Sequence, residues 1–198
     1  MQNAAILNTT PIVLGSISPR RHKLLDRLEV PFETVAVDID EICDHNDPVN
    51  TVVTNALTKH IGCRSLRPEA CIITADTMVW FEGRLIGKPR DLNEAAAFLR
   101  AFSGRTQLVF SGVALSLPGQ PLATRVISSS VLFHELSDAT INAYLERTKP
   151  LDRAGAYDID ENGDLLIASY SGSYTNIMGL PLEVVTDWLC ANNLITSD

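Results

Sequence analysis

An aspartate stands inside an otherwise apolar stretch, Cys71-Ile72-Ile73-Thr74-Ala75-Asp76-Thr77-Met78-Val79-Trp80. Runs of this kind mark strands buried on both faces. A carboxylate there is costly to desolvate unless a cation or hydrogen bonds compensate it. Asp76 is therefore a candidate acid–base group or metal ligand; the structural alternative is a turn cap or a pair with an internal arginine. The run Ile12-Val13-Leu14-Gly15-Ser16-Ile17-Ser18-Pro19-Arg20-Arg21 carries a complementary chemistry. A short apolar strand ends in hydroxyls, and a helix then opens with Ser18 as N-cap and Pro19 at its first position. Free N–H groups at the helix start favour anions, and Arg20 and Arg21 add forked donors, so the stretch suits a polyanion such as phosphate. An ordinary capped helix with solvated arginines is the alternative.

Elements must bring these pieces together. The helix after Pro19 presents Leu24, Leu25 and Leu28 inward, and Phe32 to Val37 forms a strand running into the acidic Asp38-Ile39-Asp40-Glu41. Asp47-Pro48 starts a helix whose stripe is Val49, Val52, Val53, Ala56, Leu57 and Ile61, which leaves Lys59 on the surface. Glu82-Gly83 turns the Asp76 strand into a return strand, Arg84 to Ile86, that delivers Gly87-Lys88-Pro89 toward Asp76. Asp91 to Phe102 reads as a helix, Gln107 to Leu117 and Ala123 to Glu135 as strands of one sheet, and Ser137 caps a helix to Arg147. Asn162-Gly163 signals a hairpin, with a strand from Asp164 to Ser171, a loop over Gly172 to Asn176 and a last helix from Gly179-Leu180-Pro181. Helices mixed with hairpin-linked strands imply an α/β (α+β) fold with a mixed sheet flanked by helices.

Bulk properties set bounds. At 198 residues, 45% of them hydrophobic, the chain suits one domain, or two closely joined lobes sharing a core, over 1–198. The net charge of −8 argues against nucleic-acid or anionic-membrane surfaces and makes each local cation more telling. Cys43, Cys63, Cys71 and Cys190 lack metal-ligand or C-x-x-C spacing and read as reduced thiols, and the four histidines are likewise scattered. Met1 to Gly15 has no signal-peptide pattern, so a cytoplasmic location is expected.

Taken in order, Gly15-Ser16-Ile17-Ser18-Pro19-Arg20-Arg21, Asp40-Glu41, Asn55-Ala56 with Lys59, Ala75-Asp76-Thr77, Gly87-Lys88-Pro89, Ser103-Gly104-Arg105-Thr106, Arg153-Ala154-Gly155-Ala156-Tyr157, and Gly172-Ser173-Tyr174 leading to Gly179-Leu180-Pro181-Leu182 carry a family resemblance. The chain resembles the Maf-type nucleoside triphosphate pyrophosphatases, also called septum-formation inhibitor proteins. The resemblance implies a two-lobed mixed-sheet fold with a central cleft, of the inosine triphosphatase (Maf/Ham1) type, and often a homodimer. It implies cleavage of a nucleoside triphosphate, dTTP/UTP or a modified nucleotide, between the α and β phosphates with a divalent cation (Mg, Mn or Co). Clearance of non-standard nucleotides and cell-division arrest are the roles that go with it.

On that reading Asp76, Glu41, Lys59 and Lys88 are the catalytic candidates, with Asp76 matching the family's proton acceptor and Asp76 and Glu41 the metal ligands. Ser16, Arg20, Arg21, Thr77 and Asp160 are the substrate-binding candidates, with Arg20, Thr77 and Asp160 at the family's selectivity positions. The family's dTTP/UTP branch carries glutamine where this chain has Asp160. A carboxylate only accepts hydrogen bonds, which suits a guanine edge better than a uracil edge, so 7-methyl-GTP stands as the alternative substrate. Asp160 as part of the Asn162-Gly163 turn is the other reading. Two further classes stay open: a septum-formation regulator that binds nucleotides without turnover, and a haloacid-dehalogenase-type phosphatase with Asp38 as nucleophile, which Glu41-Ile42 fits poorly.

Overall fold

The computed structural model describes residues 9–196, so most of the Met1 to Gly15 stretch lies outside the described residues. Strands β1 (Ile12–Leu14), β2 (Phe32–Thr34), β3 (Cys71–Phe81), β4 (Arg84–Ile86), β5 (Thr106–Ser116), β6 (Ala123–Phe133) and β7 (Ile167–Ser171) form a seven-stranded mixed sheet. The order is β2-β1-β3-β5-β6-β7, with β4 also on β3. β1 runs parallel to β2 and β3, and the remaining pairs are antiparallel. Around the sheet lie α1 (Pro19–Asp26), α2 (Pro48–Leu66), α3 (Leu92–Phe102), α4 (Asp138–Thr148), α5 (Tyr174–Met178) and α6 (Leu182–Ala191).

The pairing of β3 makes the site. On one edge β5 accompanies it from Ile72 to Trp80. On the other, β1 covers only Cys71 to Ile73 and β4 only Val79 to Phe81. Thr74 to Met78 thus has no strand on that edge among the described residues, and Asp76 is its centre. The buried apolar residues divide in step with this gap. Leu14, Leu24, Leu25, Ile73, Val113, Leu180 and Val185 belong to one cluster, and Val79, Leu99, Phe102, Phe133, Ile141 and Tyr144 to another.

α2 begins as its caps require: Asp47 accepts a bond from the Asn50 N–H at 2.9 Å and Pro48 follows. It lies directly on the sheet at Gly112, the β5 residue paired with Asp76, where a Cβ would fall 2.5 Å from the Val52 carbonyl oxygen. Thr74 Oγ1 donates to the Ala56 carbonyl at 2.8 Å. The inward face of α2 is Thr51, Val52, Asn55, Ala56, His60 and Cys63; Val49 and Ile61, expected inside, are exposed. Each buried polar member of that face has a hydrogen-bond partner, so the helix turns a polar face inward, and Lys59 goes with it instead of lying on the surface.

Other expectations also shift. Ser18 precedes α1 but makes no side-chain cap bond; its own N–H is bound to Ser16 Oγ at 3.2 Å. β2 ends at Thr34, short of Val37. Asn162 does adopt a left-handed turn, but no strand precedes it; it opens a 3₁₀ turn over Gly163–Leu165 in place of a hairpin. The stretch read as a loop over Gly172 to Asn176 contains the start of α5.

Candidate active site

The face of the sheet under α2 holds the acidic half of the site. Asp76 is 5% exposed. Its Oδ1 receives Lys59 Nζ at 2.7 Å, and its Oδ2 receives Asn55 Nδ2 at 3.1 Å. Lys59 Nζ also meets Glu41 Oε1 at 2.6 Å, so one ammonium bridges two carboxylates. Asn55 and Lys59 are four residues apart, one helical turn, which is why one helix face can serve one aspartate.

Thr77 points to the opposite face, in line with Ser111 of β5. Its Oγ1 lies 2.7 Å from Ser111 Oγ and 3.0 Å from the Gly179 carbonyl oxygen. Arg21 completes this half: Nε donates to the same carbonyl at 2.7 Å, and the terminal nitrogens reach Ser16 Oγ and Thr77 Oγ1, both at 3.3 Å. Gly179 ends α5 at φ 117°, a conformation that a side chain would strain, and this turns its carbonyl toward Arg21 and Thr77. Burial pushes the Arg21 guanidinium below its ordinary pKa, opposed first by the nearby Asp76 charge; Arg20 and Glu41 act on it more weakly. The two halves therefore share one electrostatic environment across β3.

Arg20, Asp160 and Lys88 make no hydrogen bond or ion pair to Asp76 among the described residues. Arg20 pairs with Asp152 Oδ2 at 3.0 Å and also donates to the Asp152 carbonyl. Lys23 pairs with Asp160 Oδ2 at 2.5 Å, and Tyr174 donates its hydroxyl to Asp160 Oδ1 at 3.2 Å. The Lys23 bond holds the Asp160 carboxyl below its usual pKa. Lys88 is exposed and makes no ion pair among the described residues. Its segment leaves β4 next to the unpaired part of β3, and the Gly87 carbonyl accepts from Gly155 N at 3.0 Å. Arg153 beside that contact carries Asp158 at 3.3 Å and Glu161 at 2.7 Å.

The sequence reading quoted Asn55, Tyr174 and Gly179 within motifs without giving them a task, and gave none to Asp152. The i, i+4 spacing to Lys59 was the available signal for Asn55. None existed for Asp152, whose partner Arg20 is far away in the chain.

Among the described residues no group of three or more His, Cys, Asp or Glu side chains is placed to hold a metal. Asp76 and Glu41 converge on the same ammonium, however, and two hard carboxylate donors with substrate oxygens and water fit a Mg²⁺-like ion. No helix among the described residues is long and apolar enough to cross a membrane.

Residues 11–192 match the family model described as "Maf-like protein". A "dTTP/UTP pyrophosphatase" of Xanthomonas oryzae pv. oryzae is 40% identical over 185 residues, 91% of this chain and 97% of that protein. One of the same description from Aromatoleum aromaticum is 42% identical over 186 residues, 86% and 90% of the two chains. A solved dITP/XTP pyrophosphatase from Mycobacterium abscessus aligns at TM-score 0.41 and 17% identity over 64% of this chain and 76% of that one, a likeness too remote to carry weight.

Proposed function

The chain belongs to the Maf-like protein family, and on that premise we propose that it is a nucleoside triphosphate pyrophosphatase acting on pyrimidine triphosphates, which it cleaves to the monophosphate and pyrophosphate. The observation that carries this reading is the buried Asp76 at the unpaired centre of β3, joined to Glu41 through Lys59. The relatives named dTTP/UTP pyrophosphatase, at about the same length, support the substrate class.

Transfer at phosphorus is catalysed mainly by positioning and by neutralising charge on phosphate oxygens. Arg20, Lys59 and Lys88 are the cations we assign to the phosphates, with Ser16 as a further donor. Arg20 exchanges Asp152 for a phosphate at little cost, because that carboxylate is 61% exposed and already well solvated. Arg21 is spent on Ser16, Thr77 and the Gly179 carbonyl, so its part is to hold the strand–helix turn in shape. Asp76 takes the proton from the water that attacks the α phosphorus; the two donors on its oxygens hold the carboxylate in orientation. Asp76 and Glu41 are the residues that would hold a divalent ion, which when bound supplies further charge neutralisation on the phosphate oxygens.

Asp160 is held between Lys23 of α1 and Tyr174 of α5, and we assign it to the wall beside the bound nucleotide. The test is a panel of ordinary and modified triphosphates, scored separately for pyrophosphate and orthophosphate, run with Asp160→Gln alongside. Pyrophosphate from dTTP and UTP, with a changed base preference in Asp160→Gln, is the expected outcome. Orthophosphate as sole product overturns the reaction, and unchanged preference removes Asp160 from base recognition.

A further inference from the structure

The side chain of Asn55 has more to do than any other amide near the site. Its Oδ1 accepts from the Ile42 N–H at 2.9 Å and its Nδ2 donates to the Ile42 carbonyl at 3.0 Å, so it reads both backbone groups of one residue as a strand partner would. The second Nδ2 hydrogen goes to Asp76 Oδ2 at 3.1 Å. Ile42 is the residue after Glu41, and residues 35–44 contain no helix or strand of their own to hold them. One turn earlier on the same helix, Thr51 grips the same segment: Asp44 N donates to Thr51 Oγ1 at 3.1 Å, and that hydroxyl lies 3.3 Å from the Asp44 carbonyl. Thr51 and Asn55 are both fully buried, so neither bond competes with bulk water. Of the two clamps, only Asn55 reaches Asp76.

From this juxtaposition we propose that Asn55 is a positioning residue for the reaction: a single amide sets the separation between the Glu41 segment and Asp76 and fixes the plane of the Asp76 carboxylate. Lys59 cannot do this alone. An ammonium on a flexible stem holds a carboxylate by charge, whereas a planar amide anchored at three points also dictates orientation. The inference rests on Asp76 being the proton acceptor. A misaligned base costs rate more than substrate binding, since two of the three cations assigned to the triphosphate, Arg20 and Lys88, lie outside α2, and the third, Lys59, keeps its own pairs with Asp76 and Glu41.

The test compares Asn55→Ala and Asn55→Ser with Thr51→Val, measuring kcat, KM, melting temperature, and affinity for a non-hydrolysable triphosphate analogue. Both Asn55 variants are expected to lose 30-fold or more in kcat, on the order expected for a lost catalytic alignment, with KM and analogue affinity within about threefold of the parent. Thr51→Val, which loosens the same segment but leaves Asp76 untouched, is expected to lower the melting temperature comparably and keep most of kcat. Equal losses of kcat in the two sets, or losses in KM alone, overturn the proposal by reducing Asn55 to a tether. If an Asn55 variant does not fold, Thr51→Val and Asn55→Asp decide. The aspartate keeps the bond from Ile42 N but has no donor for Asp76, so retained kcat in a folded Asn55→Asp contradicts the proposal. Asp76→Asn, run in parallel, separates the two levels: turnover surviving there sinks the assignment of Asp76, whereas a dead Asp76→Asn beside active Asn55 variants sinks only the role of Asn55.

Discussion

Helices α1 and α2 each carry a cation to a carboxylate, and the two pairs differ in what they are able to do. Lys59 and Asp76 meet at 2.7 Å with side chains only 13% and 6% exposed, and neither has water to fall back on. Arg20 and Asp152 meet at 3.0 Å with the carboxylate open to solvent. A buried pair is expensive to break because the orphaned charge stays buried, whereas an exposed pair exchanges partners nearly without cost. The α2 pair is suited to holding a carboxylate in one fixed orientation, and the α1 pair to releasing an arginine to an arriving anion. Arg20 and Arg21 repeat the contrast at adjacent positions, one on an exposed carboxylate and the other half-buried on two hydroxyls and a carbonyl.

Substitutions sharpen this contrast. Lys59→Met leaves Asp76 buried with Asn55 alone and should cost about 3 kcal/mol of stability in denaturant unfolding, the low end for a buried pair robbed of one partner. Adding Asp76→Asn to it should recover much of that loss. If Lys59→Met is neutral, the pair is not the preset unit described here.

A pH titration probes the same helix two faces away from solvent. His60 lies in the inward face of α2, its Nε2 2.8 Å from Ser116 Oγ, a hydroxyl that also receives Arg64 at 2.6 Å. Burial and then Arg64 lower its pKa to about 4 from 6.5, so the folded chain keeps this ring neutral while the unfolded chain protonates it. Stability is then full above pH 6.5 and falls as pH drops toward 4, by roughly 3 kcal/mol for this group. Replacing His60 with Gln should flatten that part of the curve; an unchanged pH dependence would show that the ring is not the group responsible.

The smallest effect belongs to Asp152→Asn. Stability should change by less than about 1 kcal/mol, as for exposed pairs. KM for the triphosphate should fall, because Arg20 no longer has a resident anion to exchange. A rise in KM would mean that Asp152 orients Arg20 for substrate and does not compete with it.

What was legible in the sequence follows from these energetics. Asp76 announced itself because a carboxylate in an apolar strand needs compensation, whereas Ser16 to Arg21, hydroxyls, a proline and two arginines at a helix start, read equally as an anion site or as an ordinary capped helix. The face of α2 was misread for the converse reason. Thr51, Asn55 and His60 are buried only because distant partners satisfy them, and those partners, Asp44, Ile42, Asp76 and Ser116, are invisible to helical periodicity. The same periodicity put Val49 and Ile61 inside, where the helix has no room for them once Val52 rests on Gly112. The pairing of Arg20 with Asp152 depends on tertiary approach alone, which no local pattern encodes.

The account stands on the proposal that Asp76, held by Lys59 and Asn55 beside Glu41, is the proton acceptor. Pyrophosphate release from dTTP by Asp76→Asn, measured beside its unfolding curve, tests this most directly. A folded protein whose rate has dropped about 100-fold or more is the predicted result; a folded protein turning over near the parent rate would contradict it.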